Sequence, residues 1–279
     1  MDIIMKNMDL NMKTFEEVNL SHKSILKKIY SGGKLNWIFL AGGPGLGEEY
    51  LADFLIKNSP FKNTVYVLKY PQYNNTLSDE EILLNLELDV KEALNKLDNV
   101  ILLGHSFGGM LLQSINLDKN DYKKLILLSS SPNLECFNVA NNNYNLFTLD
   151  EKKTIETLDE LYSNQKNNKN FKLLFKSWAP FYVKSEYKNS YIEMIENCSV
   201  DYEFYEWGNR FFNNYFEKNG VIPKNTTAIN SKNDNICPSS LFFNSRSELH
   251  DFIELDGSAH FPWIENTQSL LSLLQKIEG

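Results

Sequence analysis

The chain has little cysteine, an excess of acidic over basic residues and no long apolar segment near its start. Its 279 residues include three cysteines, Cys136, Cys198 and Cys237, which are too few and too scattered for a disulfide framework. No C-x-x-C pair indicates a zinc or redox site. The net charge of −8 argues against the basic surface of a nucleic-acid-binding protein. Residues 1–13 lack an apolar core long enough for a signal peptide or a membrane helix, so we expect a cytoplasmic protein without a membrane or nucleic-acid partner.

Apolar and aromatic residues, by contrast, are plentiful. Hydrophobic residues make up 42% of the chain and aromatic residues 13%, a composition typical of a packed interior and unlike that of a disordered protein. By length alone the chain could form two domains, but α/β enzymes of this size are often one domain with an insertion.

Short apolar segments alternate with helical patterns toward both ends of the chain. The first two predicted strands are joined by a short polar turn, which indicates a hairpin at a sheet edge. Ser78 and Glu81 are the ends of a capping box that begins a long amphipathic helix. Strands separated by helices in this order predict a mostly parallel sheet covered on both faces. The predicted strands are residues 15–20, 24–30, 37–41, 64–68, 100–103, 125–128, 225–230 and 251–255, and a closing helix is predicted over residues 264–277.

The strand pattern is interrupted in the middle of the chain, where no convincing buried strand occurs. We therefore predict a core of residues 1–132 and 221–279 and a helical cap insertion of residues 133–220. Helical patterns in the insertion cover residues 154–162, 170–178 and 203–216. Its aromatic side chains either line a substrate pocket or form the core of the insertion itself. They are Trp178, Phe181, Tyr182, Tyr202, Phe204, Tyr205, Trp207, Phe211 and Phe212.

The most specific motif is G-x-S-x-G, formed by residues 104–108 (GHSFG). This pattern is typical of a serine nucleophile held exposed on a sharp turn from a strand to a helix. The glycines, which have no Cβ, let strand and helix approach closely while the serine adopts a strained backbone conformation. A glycine-rich turn without chemistry has a similar pattern. The apolar residues 100–103 before the motif and 110–112 after it favour a nucleophile at Ser106.

A serine hydroxyl needs an imidazole to accept its proton and a carboxylate to orient that imidazole. Of the four histidines, His22 lies in the predicted hairpin, and the side chain of His105 should point away from the Ser106 hydroxyl. His250 begins a strand, at the wrong end for chemistry at the carboxyl edge of the sheet. His260 follows the last predicted strand, in a loop at that edge, and is our candidate general base.

In proteins with this serine motif, the acidic residue lies between the serine and the histidine along the chain. Asp234 is the favoured candidate, because it directly follows a predicted strand and leaves room for one helix and one strand before His260. After the strand over residues 125–128 the chain offers only serines at the edge. Asp201 belongs to the insertion and Asp256 is too close to His260 along the backbone, so both are expected to cap turns.

Acyl transfer also needs hydrogen-bond donors for the negative charge that develops on the substrate oxygen. One candidate is the backbone N–H of Phe107, at the positive end of the helix that Ser106 opens. The other is the backbone N–H of Gly43, in the loop formed by residues 42–45 (GGPG). The same residues could form a tight turn with no catalytic role. The two interpretations are compatible, because such a turn would expose the Gly43 amide.

Together these segments resemble the α/β-hydrolase superfamily and, within it, the proline iminopeptidase-like group of serine hydrolases. The resemblance covers approximately residues 35–130 and 225–277, and its pieces occur in the order of the family. The matching segments are residues 42–45 (GGPG), 104–109 (GHSFGG), 233–234 (ND) and 257–265 (GSAHFPWIE).

The resemblance implies an α/β-hydrolase fold, in which a mostly parallel central sheet is flanked by helices and carries an inserted helical cap. It implies Ser106 as the nucleophile, Asp234 as the acid and His260 as the base. It also implies that the amides of Gly43 and Phe107 form the oxyanion hole.

Two segments depart from the family pattern. Ala41 stands where the family usually has a histidine before Gly-Gly-Pro-Gly, which is expected to alter loop packing and leave the chemistry intact. Residues 69–73 (KYPQY) replace an acidic-x-Arg-Gly-x-Gly motif of the group, which weakens the peptidase assignment more than the hydrolase assignment. In the aminopeptidases, carboxylates of the cap hold the free amine of the substrate. Glu203 and Glu206 are candidates by residue type, but the cap matches no motif of the group.

We therefore expect a serine hydrolase without cofactor or metal that forms an acyl-enzyme on Ser106. Its substrate would be a small molecule or a short peptide, cleaved in the manner of a proline iminopeptidase. A carboxylesterase or a related acyl hydrolase is the alternative. A third hypothesis is a non-catalytic protein of the same fold that binds a ligand or a partner, although the complete set of Ser106, Asp234 and His260 counts against it. The sequence makes no prediction of oligomeric state.

Overall fold

The computed structural model describes residues 16–58, 61–73, 76–217 and 220–278. Within them the strands join into a single eight-stranded sheet. The strands are β1 (Glu16–Asn19), β2 (Ile25–Tyr30), β3 (Asn36–Leu40), β4 (Thr64–Lys69), β5 (Val100–His105), β6 (Lys124–Leu128), β7 (Thr226–Asn230) and β8 (Asp251–Glu254).

The strand order is β1-β2-β4-β3-β5-β6-β7-β8. β1 and β2 form the predicted antiparallel hairpin at one edge, and β2 also pairs antiparallel with β4. The remaining neighbours pair in parallel. The carboxyl ends of β3 to β8 therefore meet at one edge of the sheet. The predictions made for residue 15 and for residues 1–13 lie outside the described residues.

Five of the parallel strands, β3 to β7, are buried on both faces of the sheet. In β3 the side chains of Trp37 and Phe39 join one hydrophobic cluster, whereas those of Ile38 and Leu40 join another. This separation arises because successive side chains of a strand point to opposite faces. An apolar strand of this kind needs a helical layer on each side.

Helices provide these two layers. The α-helices of the described residues are α1 (Glu49–Asn58), α2 (Asp79–Asn95), α3 (Phe107–Ser114), α4 (Glu135–Tyr144), α5 (Leu149–Asn164), α6 (Asn168–Ser177), α7 (Ala179–Tyr182), α8 (Lys188–Asn197), α9 (Tyr202–Phe211), α10 (Pro262–Glu265) and α11 (Thr267–Glu278). Helices α1 and α11 pack with the cluster of Trp37, and α2 and α3 pack with the cluster of Ile38. The predicted capping box of Ser78 and Glu81 begins α2. In the described part of the chain, no helix is both long enough and apolar enough to cross a membrane.

Helices α4 to α9 lie between β6 and β7, where the sequence predicts helices and no strand. An isolated antiparallel bridge joins Val200 of this segment to Leu46, and the Asp201 N–H donates to the Gly45 carbonyl at 2.8 Å. These bonds tie the segment to the loop that follows β3. The division of the chain into a core and a cap stays a prediction.

Two helices differ from the prediction in detail. The predicted helix over residues 203–216 ends as α9 and continues as a π-helical turn, Phe212–Phe216, in which Phe212 and Phe216 are buried. The predicted closing helix over residues 264–277 is divided into α10 and α11 at Asn266. The backbone of Asn266 is not helical, with φ −146° and ψ 57°, and its side chain donates to the carbonyl of Asp256 at 2.7 Å.

Candidate active site

Ser106 lies on the turn between β5 and α3, at the carboxyl edge of the sheet. Its φ of 51° and ψ of −118° form a conformation that is uncommon for a residue with a side chain. The surrounding backbone holds it there, since the Ser106 N–H donates to the Leu128 carbonyl and its own carbonyl accepts from Gly109, both at 2.9 Å. The turn directs a partly exposed side chain away from the sheet.

The turn depends on a close contact between α3 and β3. A Cβ at Gly108 would lie 2.6 Å from the carbonyl oxygen of Ala41 and 2.7 Å from that of Leu40. Both atoms belong to backbone that cannot rotate away, so only glycine fits at this position. The absence of a side chain at residue 108 thus lets α3 begin directly behind Ser106.

His260 joins the hydroxyl of Ser106 to the carboxylate of Asp234. Its Nε2 lies 2.9 Å from Ser106 Oγ and its Nδ1 lies 2.8 Å from Asp234 Oδ2. Because the carboxylate can only accept, Nδ1 carries the proton and Nε2 is free to accept one from the serine. His260 is 1% exposed and Asp234 is 2% exposed, so both are shielded from water.

The remaining oxygen of Asp234 is also bonded. Oδ1 accepts hydrogen bonds at 2.8 Å from the backbone N–H groups of Ile236 and Cys237. These two bonds fix the carboxylate in the loop after β7, with Oδ2 facing the imidazole of His260. Within the described ranges, no three His, Cys, Asp or Glu side chains form a group that could hold a metal ion.

The loop that carries His260 is held from both sides. Ser231 Oγ donates to the carbonyl of Ser258 at 2.5 Å, and the carboxylate of Glu265 accepts from the Ala259 N–H. Glu265 is half-buried, and its burial raises the pKa of this carboxyl above its ordinary value. The position of His260 is therefore fixed by the hydrogen bonds of Ser258 and Ala259 as well as by the bond of its own imidazole to Asp234.

His22, His250, Asp201 and Asp256 lie outside the series of Ser106, His260 and Asp234. His22 Nδ1 lies 3.4 Å from a carboxylate oxygen of Asp89 near the hairpin, and His250 is exposed before β8. Asp201 caps the helix α9, where the sequence predicts a turn, by accepting from the backbone N–H groups of Glu203 and Phe204. The carbonyl of Asp256 accepts from the side chain of Asn266, which lies between α10 and α11.

The two predicted oxyanion donors flank Ser106. Phe107 is the first residue of α3, and Gly43 has a φ of +55°, which favours glycine. A Cβ at the adjacent Gly42 would lie 2.9 Å from Ser106 Cβ, so the glycine loop rests against the nucleophile. Among the residues that the structure describes, neither the Gly43 nor the Phe107 amide donates a hydrogen bond. Their role as donors to a substrate oxygen stays a prediction.

Aromatic rings of α6 and α7 cover both the glycine loop and the imidazole. Phe175 Cζ lies 3.0 Å from the position that a Cβ would take at Gly43. The ring of Tyr182 lies 5.2 Å from that of His260, and the Tyr182 carbonyl accepts from the His260 N–H at 3.1 Å. Burial raises the pKa of Tyr182 well above its ordinary value, so this phenol stays neutral.

Most of the other aromatic candidates lie either around Phe107 or near Phe175. One group surrounds the ring of Phe107 at centroid distances of 5.4 to 6.2 Å, and it consists of Phe204, Trp207, Phe211 and Phe212. Trp178 packs on Phe175 at 5.2 Å and on Tyr205 at 5.9 Å. Phe181 packs on Phe147 at 4.6 Å, and Tyr202 donates to Glu203 at 3.3 Å.

Two residues near the site, Phe175 and Tyr50, are not singled out by the sequence. Each lies at the ordinary spacing of a buried helix face, where an aromatic residue gives no signal beyond burial. Only the folded chain reveals their contacts, Phe175 with Gly43 and Tyr50 with Gly42.

No protein-family model matches the sequence. A protein of Mycoplasma genitalium named "Putative esterase/lipase 2" is 26% identical to the chain over 238 residues, which cover 78% of this chain and 80% of that protein. The chain is thus similar, over most of its length, to a protein of that name.

Solved hydrolases have a similar fold. An α/β fold family hydrolase from Bacillus anthracis matches with a TM-score of 0.67 at 15% identity, covering 94% of this chain and 98% of that one. A proline iminopeptidase from Mycobacterium smegmatis matches with a TM-score of 0.62 at 12% identity, covering 94% and 97%. At such identities the likeness concerns the fold alone. The chain therefore has the α/β-hydrolase fold that its sequence motifs predict.

Proposed function

We propose that this protein is a serine hydrolase that cleaves small carboxylic esters through an acyl-enzyme on Ser106. One observation carries the proposal: Ser106 Oγ, the His260 imidazole and the Asp234 carboxylate form a continuous hydrogen-bonded series with contacts of 2.9 and 2.8 Å. The three groups come from different loops, and two of them are shielded from water. This geometry suits the transfer of a proton from a hydroxyl to an imidazole.

In the first half of the reaction, Ser106 Oγ attacks the ester carbonyl and its proton passes to His260 Nε2. Asp234 stabilises the imidazolium that forms, and the amides of Gly43 and Phe107 donate to the carbonyl oxygen as it gains negative charge. The bond to the alcohol then breaks, and His260 returns the proton to the departing oxygen. Water repeats these steps against the acyl-enzyme, which releases the acid and restores Ser106.

The contacts of Glu206 in the inserted segment favour an ester over a substrate with a free amine. Glu206, a candidate to hold such an amine, accepts from Tyr162 at 2.7 Å and from Lys166 at 2.6 Å. Its negative charge is therefore already balanced by a lysine. Similarity to a protein named as an esterase/lipase supports the same choice.

A proline iminopeptidase-like activity on short peptides is the second candidate. The observation that favours it is the series of residues 42–45, 104–109, 233–234 and 257–265, which resembles that group. The two candidates share Ser106, Asp234 and His260 and differ in what the inserted segment binds.

Hydrolysis of p-nitrophenyl acetate and of prolyl p-nitroanilide, compared in the wild type, Ser106→Ala and Ser114→Ala, tests the proposal. Ser114 is a matched control, because its hydroxyl lies on the same helix and donates only to the carbonyl of Met110 at 3.0 Å. We expect ester turnover that Ser106→Ala abolishes and Ser114→Ala retains.

Faster turnover of the prolyl anilide would instead assign the peptidase activity. Absence of any turnover that depends on Ser106, in protein shown to be folded by circular dichroism, would contradict the enzyme and favour a non-catalytic binding protein.

A further inference from the structure

A second series of hydrogen bonds runs behind the nucleophile. The Gly42 N–H donates to Tyr50 Oη at 2.5 Å, and Tyr50 Oη lies 2.9 Å from His105 Nδ1. His105 Nε2 in turn lies 3.1 Å from the carbonyl oxygen of His260. The series thus joins the glycine loop to the backbone of the candidate base.

The direction of each hydrogen bond follows from which atoms can donate. A carbonyl oxygen only accepts, so His105 Nε2 carries a proton toward His260. A neutral imidazole then has a bare Nδ1, which accepts from the Tyr50 hydroxyl, while that hydroxyl accepts from Gly42. Burial, and then the proximity of His260, hold the pKa of His105 well below its ordinary value, which keeps this imidazole neutral. Each hydrogen bond of the series therefore has one possible direction.

Water cannot replace these bonds. Tyr50 is 3% exposed and His105 is 1% exposed, and Gly42 is buried as well. Packing is equally close, because a Cβ at Gly42 would lie 2.5 Å from His105 Nδ1. A shift of the His105 ring would therefore move both the glycine loop and the carbonyl of His260.

We propose that Tyr50 and His105 are positioning residues, which fix the spacing between the Gly43 amide and the imidazole of His260. The inference rests on the proposed function, since it assigns Gly43 as an oxyanion donor and His260 as the base. Among the described residues, the side chains of Tyr50 and His105 form no hydrogen bond with Ser106 Oγ. They act by holding the Gly43 amide and the His260 imidazole at a fixed distance from each other. A displacement of about 1 Å in such a group can lower the reaction rate strongly.

The kinetic test compares Tyr50→Phe with Tyr122→Phe as a matched control. Tyr122 is also buried, at 5% exposure, and donates to one backbone carbonyl, that of Lys224, at 2.9 Å. For p-nitrophenyl acetate we expect Tyr50→Phe to lower kcat on the order of tenfold with little change in KM, since substrate positioning by other groups is retained. Tyr122→Phe should keep the wild-type kcat. Equal kcat values in the two variants would overturn the proposal.

Two substitutions at His105 separate positioning from packing. His105→Gln keeps an amide donor for the His260 carbonyl and an oxygen that can accept from Tyr50, whereas His105→Leu keeps neither. We expect the glutamine variant to recover most of the kcat that the leucine variant loses. If both lose kcat equally while their thermal midpoints stay close to that of the wild type, positioning by hydrogen bonds is wrong.

A spectroscopic measurement tests the series without any substrate. Nitrogen-15 NMR of the imidazoles should show His105 protonated on Nε2 in the wild type and a changed tautomer population in Tyr50→Phe. A proton fixed on Nδ1 in the wild type would contradict the series. Failure of the proposed function would appear separately, as ester turnover that does not depend on Ser106.

Discussion

Nε2 of His260 lies 2.9 Å from Oγ of Ser106, although 154 residues separate the two in the chain. The contact forms because β5 and β8 end at the same edge of a parallel sheet, so the turn after one strand meets the loop after the other. A serine that forms this bond can lose its proton as it attacks, which an isolated hydroxyl at neutral pH does not do.

Removal of either partner in this contact should abolish catalysis. We expect Ser106→Ala and His260→Ala each to lower kcat by about 10³-fold or more, because the attack and the proton transfer act as one unit. Ser106→Ala should leave the thermal midpoint nearly unchanged, since it removes one partly exposed hydroxyl. Stopped assays of p-nitrophenyl acetate with purified proteins measure the loss. Near-wild-type kcat in either variant would contradict the assigned roles.

Asp234→Asn should be severe but less damaging than Ser106→Ala. The amide can still accept from Ile236 and Cys237, but its nitrogen cannot accept from His260 Nδ1, so the imidazole loses its favoured tautomer. We expect kcat to fall by at least about 10²-fold. The same ester assay measures kcat of this variant, and a loss of less than about threefold would exclude Asp234 as the acid.

The stability of the protein should decrease as the pH falls below the ordinary pKa of histidine, 6.5, because of His105. The folded chain keeps His105 neutral in this range, whereas the unfolded chain binds a proton there. The unfolded state then holds more protons, so the free energy of unfolding falls with pH until the lowered pKa of the folded state is passed.

Urea unfolding of the wild type and of His105→Gln at about pH 7 and about pH 5 measures this contribution. We expect the wild type to lose more free energy of unfolding than the variant between the two conditions. An equal loss in both proteins would show that His105 does not contribute.

Gly108→Ala should destabilise the fold more than Gly257→Ala. At Gly108 the new Cβ clashes with the backbone carbonyls of Leu40 and Ala41. Strand and helix must then separate, which lowers the free energy of unfolding by about 2 kcal/mol or more. Gly257 has a φ of +75°, but the nearest atom to its Cβ position is the side-chain nitrogen of Asn266, at 3.1 Å. Urea midpoints of both variants provide the comparison, and a larger loss for Gly257→Ala would contradict it.

The sequence predicts the sheet and the nucleophile because their signals are local. Residues 100–103 have the apolar run of a buried strand, and the glycines around Ser106 have the spacing of a sharp turn. His260 and Asp234 are predicted because each follows a strand, and parallel strands end at one edge.

The details that the sequence does not predict depend on contacts between distant segments. Tyr50 has the spacing of any buried helix residue, and its hydrogen bonds to Gly42 and His105 exist only once α1 is packed against the sheet. The break in the closing helix likewise depends on a bond from Asn266 to a carbonyl of the preceding loop. Local helix propensity predicts neither set of hydrogen bonds, because the partners lie in other segments of the chain.

Labelling with a fluorophosphonate, followed by mass spectrometry of the peptide that contains residue 106, tests the central claim most directly. We expect a single adduct on Ser106 in the wild type, none in Ser106→Ala, and strongly slowed labelling in His260→Ala. Folded wild-type protein that takes up no label, or takes it up at another residue, would contradict the claim that Ser106 is an activated nucleophile.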